Sequence, residues 1–165
     1  MASDAANSPI RLPVWLWGRV IFDLRRKGQG RRESGAFLLG RQAAASRCVT
    51  AYLPYDAIDP HAYQNGMIQF HAAGYAALWR YCKQRQLQVL ADVHTHGGAD
   101  VRQSPIDRRH PMVPTIGHTA MIVPNFGRTA WWSLSAVGVY EYLGNFQWRS
   151  HPPSATPRRI KLSLW

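Results

Sequence analysis

The sequence predicts a single α/β domain built on a mixed sheet, and three observations carry that expectation. The chain has 165 residues, enough for one full hydrophobic core and short for two. Stretches with helical apolar spacing alternate with short β-branched and aromatic runs, in the order helix, strand, strand, helix, strand, loop, strands; that order fits one α/β layer arrangement. One run, LQVLADV at 87–93, is apolar almost throughout, as a strand covered on both faces must be.

The elements follow in order. Residues 1–11 read as a loose arm. LPVWLWGRVIFDLRRKG (12–28) sets Val14, Trp17, Ile21 and Leu24 on one helical stripe; Pro13 suits a first turn that needs no amide donor, and Gly28 and Gly30 end the helix. ESGAFLLGR (33–41) and SRCVTAYLPY (46–55) read as strands, with a turn from Gly40 to Ser46. A loop over 56–66 leads to a second helix over 67–85, with Met67, Phe70, Gly74, Leu78 and Tyr81 on one face. After 87–93, HTAMIVPNFG (118–127) and TAWWSLSAVGVYEYLG (129–144) predict two strands turned at Asn125–Gly127, with Trp131 and Trp132 on opposite faces of the second. The domain is expected to span 12–150. HPPSATP opens a 151–165 extension whose RRIKLSLW can add a last strand.

Hydrophobic residues make up 46% of the chain and charged ones 18%, with a net charge of +11. That charge favours acidic partners: nucleic acid, an anionic surface or an acidic protein. Cys48 and Cys82 form no CxxC pair and no disulfide framework, so a reducing, cytoplasmic setting with both thiols as small hydrophobes is expected. The first ten residues lack the pattern of a signal peptide, and no stretch is apolar enough to span a membrane.

The chemistry concentrates in DVHTHGGADVRQSPID, residues 92–107. His94 and His96 stand two apart at the end of a strand, so both imidazoles point to one side. Asp107 lies beyond a glycine-containing segment that can return its carboxylate to them. Two imidazoles and one carboxylate make an open zinc site, with the fourth position left for water, which zinc activates near neutral pH. A proton acceptor is still needed. Glu33 and Glu141 are the candidates, Glu33 also being placed to pair with Arg31 and Arg32. His110 and His118 are read as surface groups or supports behind a ligand. The Trp131–Trp132 pair is able to contact a partner or stack on nucleobases.

Glu33, then His94-Thr95-His96, seven intervening residues, Ser104, two more and Asp107 together resemble the complete JAMM motif of the JAB/MPN metalloprotease family. ESGAFLLGR is similar to that family's first active-site strand, and the likeness covers roughly residues 12–143. The resemblance implies a cytidine-deaminase-like α/β domain, its curved mixed sheet flanked by helices. It implies one catalytic zinc held by His94, His96 and Asp107, with Glu33 as general base and Ser104 as donor to the oxyanion. It also implies cleavage of peptide or isopeptide bonds after the C-terminal glycine of a ubiquitin-like protein, beside E1/E2-like conjugation proteins or in bacterial antiphage defence. Short loops around the site point to a compact prokaryotic type. The alternative is a basic interaction or nucleic-acid-binding module in such a defence or conjugation complex.

Overall fold

Eight strands form one sheet in the spatial order β7-β6-β5-β4-β2-β3-β1-β8. The computed structural model describes residues 8–43, 46–64 and 67–165. Strand β1 (Ile10–Pro13) runs into helix α1 (Val14–Gly28), followed by β2 (Gly35–Ala43) and β3 (Ser46–Pro54). Short α2 (Tyr55–Ile58) and longer α3 (Ala72–Arg85) precede β4 (Gln88–Thr95). Then come α4 (Pro105–Arg109), β5 (Thr119–Val123), β6 (Gly138–Gly144), β7 (Gln147–His151), α5 (Thr156–Arg159) and β8 (Ile160–Ser163). The sheet is mixed: β2 is antiparallel to β3 and β4, whereas β4 and β5 are parallel, as are β1 and its neighbours β3 and β8.

Two cores flank this sheet, and the period of two along β2 sorts side chains between them. Ala36 and Leu38 join Trp17, Val20 and Leu24 of α1. Phe37 and Leu39 join Tyr55, with Leu78 and Cys82 of α3, on the other side. In β4, Val93 belongs to the α1 core, so Asp92 and His94 are turned to the opposite face. That alternation points the first histidine into the cleft on the α3 side.

Several sequence expectations need correction. The expected arm includes Ile10 and Arg11, yet both sit in β1, paired with Arg47 and Cys48 of β3 and with Ile160 and Lys161 of β8. The C-terminal extension supplies that last strand, so the two ends of the described chain complete one sheet edge. Gly40 does not begin a turn. It lies inside β2 at a bulge, where a Cβ would stand 1.9 Å from the Cys48 carbonyl oxygen; the glycine permits close backbone approach. Of the expected Gly40–Ser46 turn, residues 40–43 belong to β2, and residues 44–45 lie outside the described residues.

The second helix begins at Ala72 rather than Met67. Asp59 accepts from the backbone N–H of His71 at 2.8 Å and meets its Nδ1 at 2.7 Å, holding His71 extended ahead of the helix, and 67–70 are not helical. Phe70 there packs on Phe37, Tyr55 and Tyr75, with centroids 5.2, 5.7 and 4.7 Å away. Tertiary packing produced the apolar spacing that imitates a helix. Between Gly127 and Gly138 the chain turns instead of extending, so Trp131 and Trp132 are on a loop and both exposed. The sheet continues through a β6–β7 hairpin turned at Asn145 and Phe146, with φ of 49° and 60°; that pair of positive φ values matches the twist of a two-residue hairpin. Of the two thiols read as small hydrophobes, Cys82 is buried and Cys48 half-buried. Among the described residues no helix is long and apolar enough to cross a membrane.

Candidate metal centre

The site is assembled where β2 starts and β4 ends. The Ser34 N–H donates to Thr95 Oγ1 at 3.0 Å, and the Thr95 N–H donates to the Ser34 carbonyl at 2.9 Å. Ser34 Oγ in turn donates to the Leu24 carbonyl of α1 at 2.8 Å. One residue on, the Gly35 N–H donates to Tyr63 Oη, whose hydroxyl donates back to the Gly35 carbonyl, both at 3.0 Å. These bonds fix the backbone immediately after Glu33 and set that residue beside the histidines. Gly35 has no room for a side chain: a Cβ would lie 2.2 Å from the Tyr55 ring.

Asp107 is oriented by its own helix. Ser104 caps α4, its Oγ accepting from the Asp107 N–H at 3.1 Å while its N–H donates to Asp107 Oδ2 at 2.7 Å. This reciprocal capping box turns the carboxylate toward the histidines. His94 Nε2 and His96 Nε2 are 3.3 Å apart, and they lie 3.4 Å from Asp107 Oδ1 and Oδ2 respectively. Ligands at zinc distances in a tetrahedron are separated by about 3.3 Å. The two histidine nitrogens meet different oxygens of Asp107, and one ligand atom from each of the three residues lies within 4.8 Å of the others, close enough to converge on one ion.

The remaining contacts agree with ligation. His96 Nδ1 is 2.9 Å from the Asp100 carbonyl, so the proton belongs on Nδ1 and the Nε2 lone pair faces the cluster. For Asp107, burial favours the neutral acid, but hydrogen bonds from His96 and Ser104 and the nearby His94 outweigh it, and the carboxyl is held down at about 2. It is an anion at any working pH. His96 is pushed up, first by its bond to Asp107. Glu33, half-buried, is also pushed up, chiefly by desolvation and against the pull of His94 and His96. Its carboxylate therefore lies within electrostatic reach of all three cluster residues, and among the described residues it makes no ion pair to Arg31 or Arg32.

Glu33, His94, His96, Ser104 and Asp107 are thus brought together. The other candidates are not. Glu141 of β6 pairs with Arg149 and His151 of β7 at 3.1 and 3.3 Å and with Arg159 of α5 at 3.4 Å. His118 is buried against Asp92, Nε2 to Oδ1 2.6 Å, and Tyr55 Oη donates to the other oxygen of Asp92 at 3.1 Å. His110 ends α4 and lines a cleft without joining the cluster.

Two clefts open from the centre. One, about 720 Å³, passes Glu33, His94 and Asp107 and is walled by Phe70, Met112 and Phe146. The other, about 680 Å³, passes His96 and Ser104 and is lined by Arg102, Arg108 and Tyr140. Trp148 borders both. Sequence reasoning missed these walls and the buried Tyr55–Asp92–His118 network. The position of Asp92, two residues before His94 on the same strand face, was the available signal.

No family model matches the chain. Its fold is similar to that of protein DSY2949 from Desulfitobacterium hafniense, with a TM-score of 0.64 and 14% identity, covering 93% of this chain and 92% of that one. A protein from Salinibacter ruber is similar with a TM-score of 0.57 and 16% identity, covering 85% and 87%. At such identities the likeness is one of fold. Fold and site together define an α/β domain with a mixed, curved sheet and a His/His/Asp cluster suited to a metal ion.

Proposed function

We propose that the protein is a JAMM-type zinc peptidase or isopeptidase of the JAB/MPN kind, hydrolysing the bond after the C-terminal glycine of a ubiquitin-like precursor or conjugate. The observation that carries the reading is the 3.3–3.4 Å spacing of the His94, His96 and Asp107 donor atoms, with Glu33 beside them. The donor set, two imidazoles and a carboxylate, fits zinc with an open position. Bound there, zinc supplies Lewis-acid polarisation of the scissile carbonyl and acidifies water.

The chain's own residues provide the rest. The Glu33 carboxylate takes the proton of the attacking water and returns it to the leaving amine nitrogen. The Ser104 hydroxyl, fixed at the head of α4, supports the oxyanion. The clefts on either side give an extended tail a way through, and two terminal glycines pass where larger side chains collide. Natural partners in this reading are the ubiquitin-like protein or its conjugate and the E1/E2-like proteins that attach it, as in an antiphage system.

The test is incubation with ubiquitin-like precursors and conjugates from the protein's own source, followed by mass measurement of the products. Cleavage immediately after the terminal glycine, abolished by chelator and absent in Glu33→Gln, is expected. Equal cleavage of peptides lacking the modifier's folded body would overturn the substrate assignment. Turnover that survives zinc removal would overturn the zinc chemistry.

A further inference from the structure

A second surface lies on the outer side of α1. The helix buries Leu16, Trp17, Val20, Ile21 and Leu24, which leaves Trp15, Arg19, Phe22 and Arg26 in one outward stripe at intervals of four, three and four residues. Ring and guanidinium alternate along it in steps of about 5 Å. Trp15 is 52% exposed and Phe22 69%. The loop after β5 runs alongside, and its Trp131 ring lies over Gly18, where a Cβ would come within 3.1 Å. A groove of about 630 Å³ forms between helix and indole because Gly18 carries no side chain. Trp132 stands at 5.6 Å from Trp131, nearly perpendicular and more exposed.

The charge on this face is one-sided. Asp23 is the acid lining the groove, and Arg26 engages it at 2.7 Å. Arg19, the other arginine lining the groove, has no ion-pair partner among the described residues; nor do Arg25, Arg31 and Arg128, which lie outside the groove lining. A second copy of the same face would set Arg19 against its own charge, since Asp23 is already engaged by Arg26. A purely apolar helix would strand those guanidinium groups.

We propose that this face binds single-stranded nucleic acid, with unpaired bases stacked on Trp15, Phe22, Trp131 and Trp132 and phosphates held by the adjacent arginines. Exposed rings reach base faces only where the bases are unpaired, and stacking with a cationic track is the usual chemistry of such sites. The net charge of +11 adds long-range attraction. This function stands independently of the metal centre, none of whose residues line the groove.

The experiment is fluorescence anisotropy with labelled oligothymidylate and oligouridylate of about 15 nucleotides, on the full chain. Binding is expected, weakening steeply between about 50 and 200 mM salt. Trp131→Ala and Arg19→Glu should each weaken it about tenfold or more, with zinc content unchanged. Phe22→Ala, at a position too exposed to affect folding, should weaken it as well. Absence of binding at the lower salt, or affinity untouched by all three changes, would overturn the proposal. So would equal affinity for duplex, which would remove the role of the rings. Displacement of the oligonucleotide by an equal concentration of polyglutamate would mark the face as a site for acidic protein instead. A dimer in sedimentation broken by Phe22→Ala, without oligonucleotide binding, would assign it to a second copy.

Discussion

Substitution of Ser104 separates two roles that this residue combines. Its Oγ accepts from the Asp107 N–H at 3.1 Å, as a helix cap, and its hydroxyl is assigned to the oxyanion. Ser104→Ala removes both. Loss of the cap costs about 1 kcal/mol, roughly fivefold in zinc affinity if the whole loss falls on the orientation of Asp107. The backbone bond from Ser104 N–H to Oδ2 survives, so zinc remains bound at modest excess. Loss of an oxyanion donor costs about 2.7–4 kcal/mol in turnover, a factor of about 10² to 10³. Ser104→Gly separates the two, because glycine caps a helix within a few tenths of a kcal/mol of serine yet has no hydroxyl. The assay is single-turnover cleavage at saturating zinc, alongside competitive zinc titration. Both variants should lose turnover alike, and only alanine should lose measurable zinc affinity. Turnover within threefold of wild type in either variant, with zinc bound, would refute the oxyanion role.

The other predictions concern stability. The Glu33 carboxyl has a raised pKa in the fold, so the folded state favours its protonated form; that advantage is complete below the ordinary carboxylate pKa and is lost as pH rises through the folded value. Zinc-free Glu33→Gln should therefore be more stable than zinc-free wild type at neutral pH, with the difference shrinking in acid; urea titrations that show the reverse slope would contradict this. His118→Ala leaves the Asp92 carboxylate, 2% exposed, with Tyr55 as its remaining side-chain partner. Breaking such a buried pair costs about 3–5 kcal/mol, and a denaturation midpoint near that of wild type would show that the network does not brace the cleft.

Much of this was legible in the sequence because periodicity reports burial. The near-continuous apolar run in β4 read as a strand covered on both faces, and its buried residues bear this out; ESGAFLLGR read only as a strand, and the structure sets β2 between the two cores. The i, i+2 spacing placed His94 and His96 on one side, whereas the short helix α4 headed by Ser104 was read as loop. Failures came where non-local contacts set the pattern. Phe70 belongs to an aromatic cluster and not to a helix face, and Gly40 is a bulge forced by the Cys48 carbonyl. QWRSH carries no apolar alternation because β7 is an edge strand, and its presence is signalled only by the turn before it. Nor could spacing decide between Glu33 and Glu141. Glu141 occupies the right kind of strand, and only the fold shows it taken up by Arg149, His151 and Arg159.

The central claim is that His94, His96 and Asp107 hold one zinc ion. Its most direct test is elemental analysis of protein purified without a metal column, for wild type and for His94→Ala, His96→Ala and Asp107→Ala. Tetrahedral ligation by these three side chains predicts about one zinc per wild-type chain and its loss from each variant. Zinc retained in full by all three variants, or a folded wild type that takes up none when zinc is supplied, would contradict it.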